Sequence, residues 1–266
     1  MLYEINKLYN LDCMAGMKEI EDNSIDCIIT SPPYNKKGLH GKVKATKNYN
    51  KGENKKSNRY KYHEKGNQIW SKFEIDYETY GDNLPEEAYQ QWMTKAINEM
   101  VRIIKPTGSI FFNHKPRRYK NEAHLPTDFI RSSNARIYQV IVWNRKNSPN
   151  IRNDILVPCV EYVYWLAKKK PKVLRKQIDP NYKTVVWDIP PLRQGAHPAP
   201  FPPKLVENCV NLTTVEGDLV LDPFMGSGTT AAVAQQLKRN WIGFEIDPKY
   251  TQIFNQTYTP KEDTNE

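Results

Sequence analysis

A short polar corner follows an apolar, β-branched segment near the start of the chain. Residues 24–30 have the composition of a buried strand, and Ser31, Pro32, Pro33 and Tyr34 come directly after them. Neither proline can donate a backbone hydrogen bond, so a sheet cannot continue through this point. The corner therefore presents a hydroxyl group, a backbone carbonyl fixed by proline rings, and an aromatic ring. These groups can hold hydrogen-bond donors beside a flat surface.

A glycine-rich turn near the other end of the chain has the pattern of a ligand-binding loop. Gly226-Ser227-Gly228 lies between a predicted strand and a predicted helix, where glycines permit a sharp turn and a close approach to a ligand. Asp222 ends the preceding strand, and Glu245 ends the next strand about twenty residues further on. In dinucleotide-type folds an acid at this second position accepts hydrogen bonds from ribose hydroxyls, while Asp222 can face a positive group. The glycine pair alone would also suit a plain tight turn.

The chemistry of this turn favours a particular kind of nucleoside. A Gly-Lys-Ser/Thr sequence does not follow it, which argues against a phosphate-binding loop. A nucleoside that lacks phosphates and carries an ammonium group fits better. S-adenosylmethionine has these features, and its sulfonium makes the attached methyl group electrophilic.

The two motifs together resemble those of the DNA amino-methyltransferases. "ITSPPY" (29–34) is similar to the catalytic motif of that family, and "DPFMGSGTT" (222–230) is similar to its S-adenosylmethionine-binding motif. The catalytic motif comes first, which resembles the permuted β group of the family. "NLDC" (10–13) and "HPAPFP" (197–202) resemble two further family segments, so the likeness covers almost the whole chain. It is weakest in 36–80 and 146–195.

This resemblance implies a set of residues that bind S-adenosylmethionine. For Asp12 a helix cap, and for His197 a loop hydrogen bond, are alternatives of about equal weight to ligand contact. The implied residues are Asp12, Cys13, Thr30, His197, Pro198, Asp222, Pro223, Phe224, Gly226, Ser227, Gly228, Thr229 and Glu245.

The polar corner has a chemical role in the reaction that the family catalyses. An exocyclic amine of a base is a poor nucleophile, because its lone pair is delocalised into the ring. Acceptors that hold its hydrogens let the nitrogen pyramidalise as it attacks the methyl group, and we assign this role to the Ser31 hydroxyl and the Pro32 carbonyl. Tyr34 is predicted to stack on a base flipped out of its duplex. A turn that merely ends the strand is the structural alternative.

The first residue of the corner bears on which amine is methylated. Adenine-N6 methylases of the permuted group mostly carry Asp there, whereas cytosine-N4 methylases mostly carry Ser in a T-S-P-P-Y or T-S-P-P-F pattern. Thr30-Ser31 matches the second pattern, and we expect a cytosine-N4 methyltransferase of a restriction-modification system. An adenine-N6 enzyme is the alternative, and a catalytically inactive DNA-binding relic is a further one.

Positive charge is concentrated directly after the corner. Between Lys36 and Gly66 there are eleven lysine or arginine residues and two glutamates. The net charge of this stretch therefore equals the formal charge of +9 of the whole chain. A surplus of this size suits a nucleic acid. We predict that segment 36–80 is a mobile loop that contacts DNA, with Lys36, Lys37 and Lys42 beside the active site; a solvated insertion is the alternative.

A second segment, 146–195, corresponds to the place where the family has its target-recognition region. Polar side chains in and beside it could contact base edges, with Arg directed to guanine and Asn to adenine. The candidates are Arg145, Asn147, Arg152 and Arg193.

The elements that must position these groups alternate between strands and helices. Strands are predicted at 24–30, 109–114, 137–146, 159–167, 218–224 and 240–247, and helices at 84–108, 203–214, 227–239 and 248–257. This alternation predicts an α/β fold with a mostly parallel, doubly wound sheet, and the resemblance implies a Rossmann-like methyltransferase fold with circularly permuted motif order. The predicted catalytic domain is discontinuous, comprising 1–35, 81–145 and 196–258, with a tail at 259–266.

Composition excludes several other classes. The mean hydropathy is −0.74 and the longest apolar runs are far too short to span a bilayer, so we expect a cytoplasmic protein. The four cysteines are scattered without a CxxC pair, so we expect no metal site. DNA is the expected partner, with a homodimer and a separate restriction endonuclease as further expectations from the family.

Overall fold

The computed structural model describes residues 2–35, 82, 84–119, 121–146, 153, 155–192 and 202–258. The predicted basic loop 36–80 and the tail 259–266 lie outside these residues. None of the described helices is both long and apolar enough to cross a membrane.

Ten strands are present in the described part of the chain. In chain order they are β1 Lys7–Asn10, β2 Ile25–Thr30, β3 Ile104–His114, β4 Arg117–Tyr119, β5 Glu122–His124, β6 Arg136–Asn144, β7 Val160–Ala167, β8 Val186–Asp188, β9 Leu219–Asp222 and β10 Asn240–Glu245. Eight of them form one sheet in the order β1-β10-β9-β2-β3-β7-β6-β8, and β4 and β5 form a separate hairpin.

The main sheet is mostly parallel, which confirms the predicted fold class. β1, β10, β9, β2 and β3 run parallel, β7 is antiparallel to both of its neighbours, and β8 is parallel to β6. The chain passes from β9 to β10 in one direction across the sheet and from β2 to β3 in the other. The boundary between β9 and β2 is therefore a topological switch point, where ligands bind beyond the carboxyl ends of the strands.

Within the described residues, six α-helices cover the two faces of the sheet. They are α1 Cys13–Lys18, α2 Glu86–Ile103, α3 Pro126–Arg131, α4 Pro203–Thr213, α5 Thr229–Gln236 and α6 Pro248–Tyr258. Helices α1, α2 and α3 pack in one buried cluster with Ile28 of β2, whereas α4, α5 and α6 pack in a second cluster with Cys27 and Ile29. Neighbouring residues of β2 thus face opposite layers, and the strand is apolar throughout because both of its faces are buried.

Helix α2 forms for the reasons that the sequence indicated. Pro85 precedes it and Glu86 and Glu87 lie in its first turn, where their charge complements the helix dipole. Its buried residues fall on successive turns at 89, 93, 96–97, 100–101 and 103, so one stripe of the helix faces the core. These residues are Tyr89, Met93, Ala96, Ile97, Met100, Val101 and Ile103.

Strand β3 begins earlier than predicted. It starts at Ile104, directly after α2, instead of at Ser109. The register jumps from Ile25–Ile104 to Cys27–Ser109, so residues 105–108 bulge out of the pairing with β2. Pro106 lies in this bulge, where its missing N–H does not interrupt the ladder.

Part of the segment 146–195 belongs to the main sheet. Residues 160–167 form β7, between β3 and β6, and residues 186–188 form the edge strand β8. Buried aromatic residues in both strands explain this placement, because Trp165 and Trp187 each belong to the core. The role of segment 146–195 in target recognition stays a prediction.

Several short elements were not predicted. Strand β1, helix α1, the β4–β5 hairpin, helix α3 and strand β8 each have three to six residues. Elements of this length show too few repeats of an apolar period to be recognised.

We expect Gly16→Ala to destabilise the fold even though alanine favours helices. A Cβ atom at Gly16 would lie 2.7 Å from two ring atoms of Phe244, which is fully buried. Overpacking costs about 1–3 kcal/mol, whereas the helix propensity gained is about 1 kcal/mol. Urea denaturation should show a decrease in the free energy of unfolding of about 1 kcal/mol. Lys18→Ala, an exposed change in the same helix, serves as the control, and equal or greater stability of Gly16→Ala would contradict this packing.

Candidate active site

A buried hydrogen bond joins the two sequence motifs. Thr30, the last residue of β2, donates from Oγ1 to Asp222 Oδ1 at the end of β9, across 2.8 Å and 192 positions of sequence. Thr30 is 0% exposed and Asp222 is 2% exposed. Because Ser31 follows Thr30 and Pro223 follows Asp222, the polar corner and the glycine turn begin side by side.

Asp222 also fixes the turn that follows it. Its Oδ2 accepts a hydrogen bond from Thr230 Oγ1 in α5 at 2.7 Å, and its Oδ1 accepts one from the Phe224 N–H at 3.0 Å. Burial raises the pKa of Asp222 to about 6, although these hydrogen bonds act in the opposite direction. Both side chains thus join β2, β9 and α5, and their contact with a cofactor stays a prediction.

The glycine turn needs its glycines for backbone geometry and for packing. Gly226 and Gly228 have φ values of 52° and 88°, in the left-handed region that favours glycine. A Cβ atom at Gly228 would also overlap the ring of Phe254 in α6. The turn can thus approach a ligand while its far side packs against a helix.

Glu245 holds the same turn from the end of β10. Its Oε2 accepts a hydrogen bond from the Gly226 N–H and its Oε1 accepts one from the Asp247 N–H, each at 2.8 Å. Burial raises the pKa of Glu245. Each carboxylate oxygen has a second lone pair, so Glu245 can still accept hydrogen bonds from ribose hydroxyls.

Two of the predicted cofactor-binding residues, Asp12 and Cys13, lie at the start of α1. Asp12 is the N-cap of α1, because its Oδ1 accepts hydrogen bonds from Met14 N–H and Ala15 N–H at 2.9 and 3.1 Å. Cys13 is 5% exposed and belongs to the core, where burial raises the pKa of its thiol. The Cys13 side chain thus packs in the core, and a contact of this residue with the cofactor stays a prediction.

The described residues fit S-adenosylmethionine. β1 and β10 are paired up to Asn10 and Glu245, so the carboxylates of Asp12 and Glu245 lie at neighbouring strand ends. Phe224 is half-buried, and its ring meets Trp92 edge-on with centroids 5.8 Å apart. Carboxylates for hydroxyl groups and an aromatic surface for a base suit a nucleoside. Ser227 and Thr229 are partly exposed in the turn, whereas Pro223 is buried.

The polar corner is held from behind by aromatic and imidazole groups. The Tyr89 hydroxyl of α2 donates to the Pro33 carbonyl at 2.8 Å and also lies 2.8 Å from His114 Nε2. The Tyr34 ring lies on the His114 ring, with centroids 4.3 Å apart and planes inclined by 33°. No described residue donates a hydrogen bond to the Pro32 carbonyl, which leaves that carbonyl for the predicted acceptor role.

The Tyr34 hydroxyl belongs to a buried polar cluster formed by Ser31, Tyr34, Asn113, Arg145 and Glu161. Tyr34 is 9% exposed, and its hydroxyl donates to Glu161 Oε2 at 3.1 Å. Asn113 Nδ2 donates to the Tyr34 hydroxyl at 2.8 Å, and Ser31 Oγ lies 3.1 Å from that hydroxyl. Burial, followed by the charge of Glu161, raises the pKa of Tyr34 well above its ordinary value. His114 covers one face of the ring and Lys115 Nζ lies 5.7 Å from the ring centroid, and stacking of Tyr34 on a base stays a prediction.

Arg145, a predicted DNA contact, lies beside the polar corner. Its Nη1 donates to Glu161 Oε1 at 2.7 Å, and its side chain is 20% exposed. Its guanidinium lies 5.4 Å from the centroid of the Trp143 ring. The guanidinium is therefore engaged beside the polar corner, and a contact of Arg145 with a base edge stays a prediction.

Sequence reasoning missed Asn113, His114 and Glu161. Asn113 and His114 follow a buried apolar run at the carboxyl end of β3, the position where ligand-binding side chains of parallel strands lie. Glu161 is a charged residue inside the aromatic run of β7. Both signals were visible in the sequence. By contrast, the predicted contacts at Lys36, Lys37, Lys42, Asn147, Arg152, Arg193, His197 and Pro198 lie outside the described residues.

Known proteins are similar to this protein over most of its chain. A family model described as DNA methylase matches residues 25–256. Type II methyltransferase M.BglII of Bacillus subtilis is 30% identical over 98% of this chain and 71% of its own length. Type II methyltransferase M2.MboI of Moraxella bovis is 26% identical over 94% of this chain and 86% of its own length.

Two solved structures have the same fold. PvuII DNA methyltransferase, named as cytosine-N4-specific, superposes with a TM-score of 0.66 at 20% identity, over 94% of this chain and 91% of its own chain. A DNA modification methylase of Thermus thermophilus, TTHA0409, in complex with S-adenosyl-L-methionine, superposes with a TM-score of 0.61 at 21% identity, over 94% of this chain and 91% of its own.

We expect Asp222 to make stability depend on pH in an unusual direction. The folded protein binds a proton at Asp222 below about pH 6, whereas an unfolded Asp remains ionised until about pH 4. Stability from this group therefore increases as pH falls through that window and is lost again as pH rises. Relative to Asp222→Asn, the wild type should gain about 2 kcal/mol in free energy of unfolding between pH 7.5 and pH 4.5. Urea denaturation at both pH values measures this gain, and parallel pH profiles would contradict it.

Proposed function

We propose that this chain, which belongs to the DNA methylase family, transfers a methyl group from S-adenosylmethionine to the exocyclic N4 amine of cytosine in DNA. Methylation of a base amine in DNA is the activity of the family. The choice of cytosine N4 rests on one observation: a neutral hydroxyl, Ser31, occupies the first position of the polar corner and adjoins the glycine turn through the Thr30–Asp222 hydrogen bond.

Ser31 and Pro32 act on the hydrogens of the target amine. The Ser31 hydroxyl oxygen and the Pro32 carbonyl accept hydrogen bonds from the two N–H groups of the amine. The lone pair of N4 is thereby released from conjugation with the ring and directed at the methyl group. The proline rings hold this geometry before the substrate arrives, and the chain loses little freedom during the reaction. When bound, S-adenosylmethionine supplies a sulfonium methyl group, whose C–S bond breaks with its electron pair moving to sulfur as N4 forms the new N–C bond and then releases one proton to solvent.

The methyl donor has its place on the other side of the Thr30–Asp222 bond. Gly226 and Gly228 allow the backbone of the turn to lie close to it, and Glu245 and Asp12 provide acceptors for its hydroxyl and amino groups. The cytosine-N4 assignment is supported by the T-S-P-P-Y pattern, and the PvuII enzyme of the same fold is named for that specificity. Adenine N6 is the alternative target, because a hydroxyl and a carbonyl can orient either amine.

DNA contacts are proposed for the chain segments that flank the corner. The basic segment 36–80 begins two residues after Tyr34 in the sequence, and we propose that its lysines and arginines neutralise phosphates of the DNA. A homodimer and a separate restriction endonuclease stay predictions from the family resemblance.

The identity of the methylated base tests this function directly. Purified protein, S-adenosylmethionine and unmethylated DNA are incubated, and the DNA is digested to nucleosides for mass spectrometry. We expect N4-methyldeoxycytidine as the product. N6-methyldeoxyadenosine as the sole methylated nucleoside would overturn the cytosine assignment, and failure to bind S-adenosylmethionine in calorimetry would indicate an inactive relic.

Ser31→Ala tests the assigned acceptor. Loss of the hydroxyl removes one of the groups that hold the amine, so the single-turnover rate should fall on the order of 100-fold. Binding of S-adenosylmethionine should be unchanged in calorimetry. Ser24→Ala, which removes an exposed hydroxyl bonded to the Glu21 carbonyl, is the matched control and should retain the wild-type rate. A wild-type rate in Ser31→Ala would exclude the acceptor role.

A further inference from the structure

Glu161 is a buried carboxylate placed beside the proposed catalytic corner. It lies on β7 and is 6% exposed, and β7 pairs with β3 on one side and β6 on the other. These two neighbours bring Asn113 and Arg145 against its two oxygens. A carboxylate with so little contact with water needs compensating partners, and those partners lead directly to Ser31.

The partners of Glu161 fix its orientation and balance its charge. Arg145 Nη1 donates to Oε1 at 2.7 Å, and Lys115 Nζ lies 3.7 Å from the same oxygen. The other oxygen, Oε2, accepts from Asn113 Nδ2 at 3.0 Å and from the Tyr34 hydroxyl at 3.1 Å. This contact also settles the orientation of the Asn113 amide, because an amide oxygen would repel the carboxylate at that distance.

Counting protons along the cluster determines the role of the Ser31 hydroxyl. Tyr34 has a single hydroxyl proton, and that proton is donated to Glu161. Its burial next to a negative charge raises the pKa of Tyr34 and keeps this proton in place. In the 3.1 Å contact between Ser31 and Tyr34, Ser31 must therefore be the donor. The hydrogen of Ser31 is then turned away from the substrate. Asn113 Nδ2 donates to the Ser31 oxygen at 3.5 Å, and the second lone pair of that oxygen can accept from the substrate.

We propose that Glu161 is a positioning residue for methyl transfer, which acts through Tyr34 to hold the Ser31 hydroxyl as a hydrogen-bond acceptor for the target amine. This inference rests on the proposed function, since it assigns the group that makes Ser31 an acceptor. A neutral hydroxyl can either donate or accept, and an amine that must give up its lone pair needs an acceptor. The hydrogen bonds from Ser31 to Tyr34 and from Tyr34 to Glu161 prevent the Ser31 hydroxyl from donating to the amine. They also make the Ser31 oxygen a stronger acceptor, because the carboxylate polarises both hydroxyl groups.

A glutamine at position 161 would reverse this order. In the wild type, the Tyr34 hydroxyl and Asn113 Nδ2 both donate to Glu161 Oε2. In the glutamine variant, Arg145 would donate to the amide oxygen, and the amide N–H₂ group would face these two donors. The Tyr34 proton would then turn toward Ser31, and the Ser31 proton would point at the target amine. The size and shape of the side chain would hardly change.

The test is Glu161→Gln in the full-length protein, measured by single-turnover methylation of DNA at saturating S-adenosylmethionine. We expect the rate to fall on the order of 10- to 100-fold, because the reacting nitrogen loses a correctly oriented acceptor. Dissociation constants for S-adenosylmethionine and DNA should stay within about twofold of wild type, since Glu161 is placed behind the corner. In a Tyr34→Phe background the relay is already broken, so Glu161→Gln should have an additional effect of less than about twofold.

A control separates positioning from a purely structural role. Asp26→Asn removes another paired carboxylate of the same sheet, which contacts Lys105 Nζ at 2.7 Å and accepts from the Leu219 N–H. We expect Asp26→Asn to lower the midpoint of thermal unfolding and leave the methylation rate unchanged. If Glu161→Gln behaves in the same way, or if its effect is undiminished in the Tyr34→Phe background, the positioning role is overturned.

The outcome for Glu161 is distinguishable from the outcome for the proposed function. The wild-type product identifies the methylated base, and a finding of N6-methyladenine would refute only the cytosine assignment. The ratio of wild-type and Glu161→Gln rates is measured on whichever product forms, so the positioning role is tested in either case.

Discussion

The arrangement of the candidate active site depends on the hydrogen bond from Thr30 to Asp222. Two motifs that are 192 positions apart in sequence begin at its two ends, at a distance of 2.8 Å. Burial disfavours the ionised form of Asp222 and raises its pKa to about 6. The hydrogen bonds from Thr30 and the other donors offset part of this cost of burial. The residue that anchors the glycine turn thus also anchors the corner that faces the target amine, and any shift of β2 against β9 would separate the two.

A second layer of polar contacts supports this junction from the other side. Glu245 holds the glycine turn through the Gly226 N–H, and Glu161 holds the Tyr34 hydroxyl of the corner. In both cases a buried carboxylate at one end of the sheet fixes the groups that would touch the substrate. Buried charges are costly unless they are paired, so their concentration at one end of the sheet indicates a site organised before ligands bind.

Most of the fold could be predicted because its long elements have clear periodicity and punctuation. The helix over Glu86–Ile103 and the buried strands β2, β9 and β10 follow from apolar patterns, and the two motifs indicated which strand ends meet. The side-chain roles were harder to predict. The hydrogen bond between Thr30 and Asp222 was not predicted, because it depends on the burial of both side chains, and burial is a property of the assembled sheet. Glu161 and Arg145 form their pair only because β6 and β7 are neighbours, which no local pattern reveals.

The most direct test of the coupling between the two motifs is a double-mutant cycle on Thr30→Val and Asp222→Asn. Single-turnover methylation rates are measured for the wild type, both single variants and the double variant at saturating S-adenosylmethionine and DNA. If one hydrogen bond holds both motifs in register, each single variant loses roughly tenfold in rate and the double variant loses little more than the worse single one. Independent effects that multiply in the double variant would show that the two motifs are positioned separately.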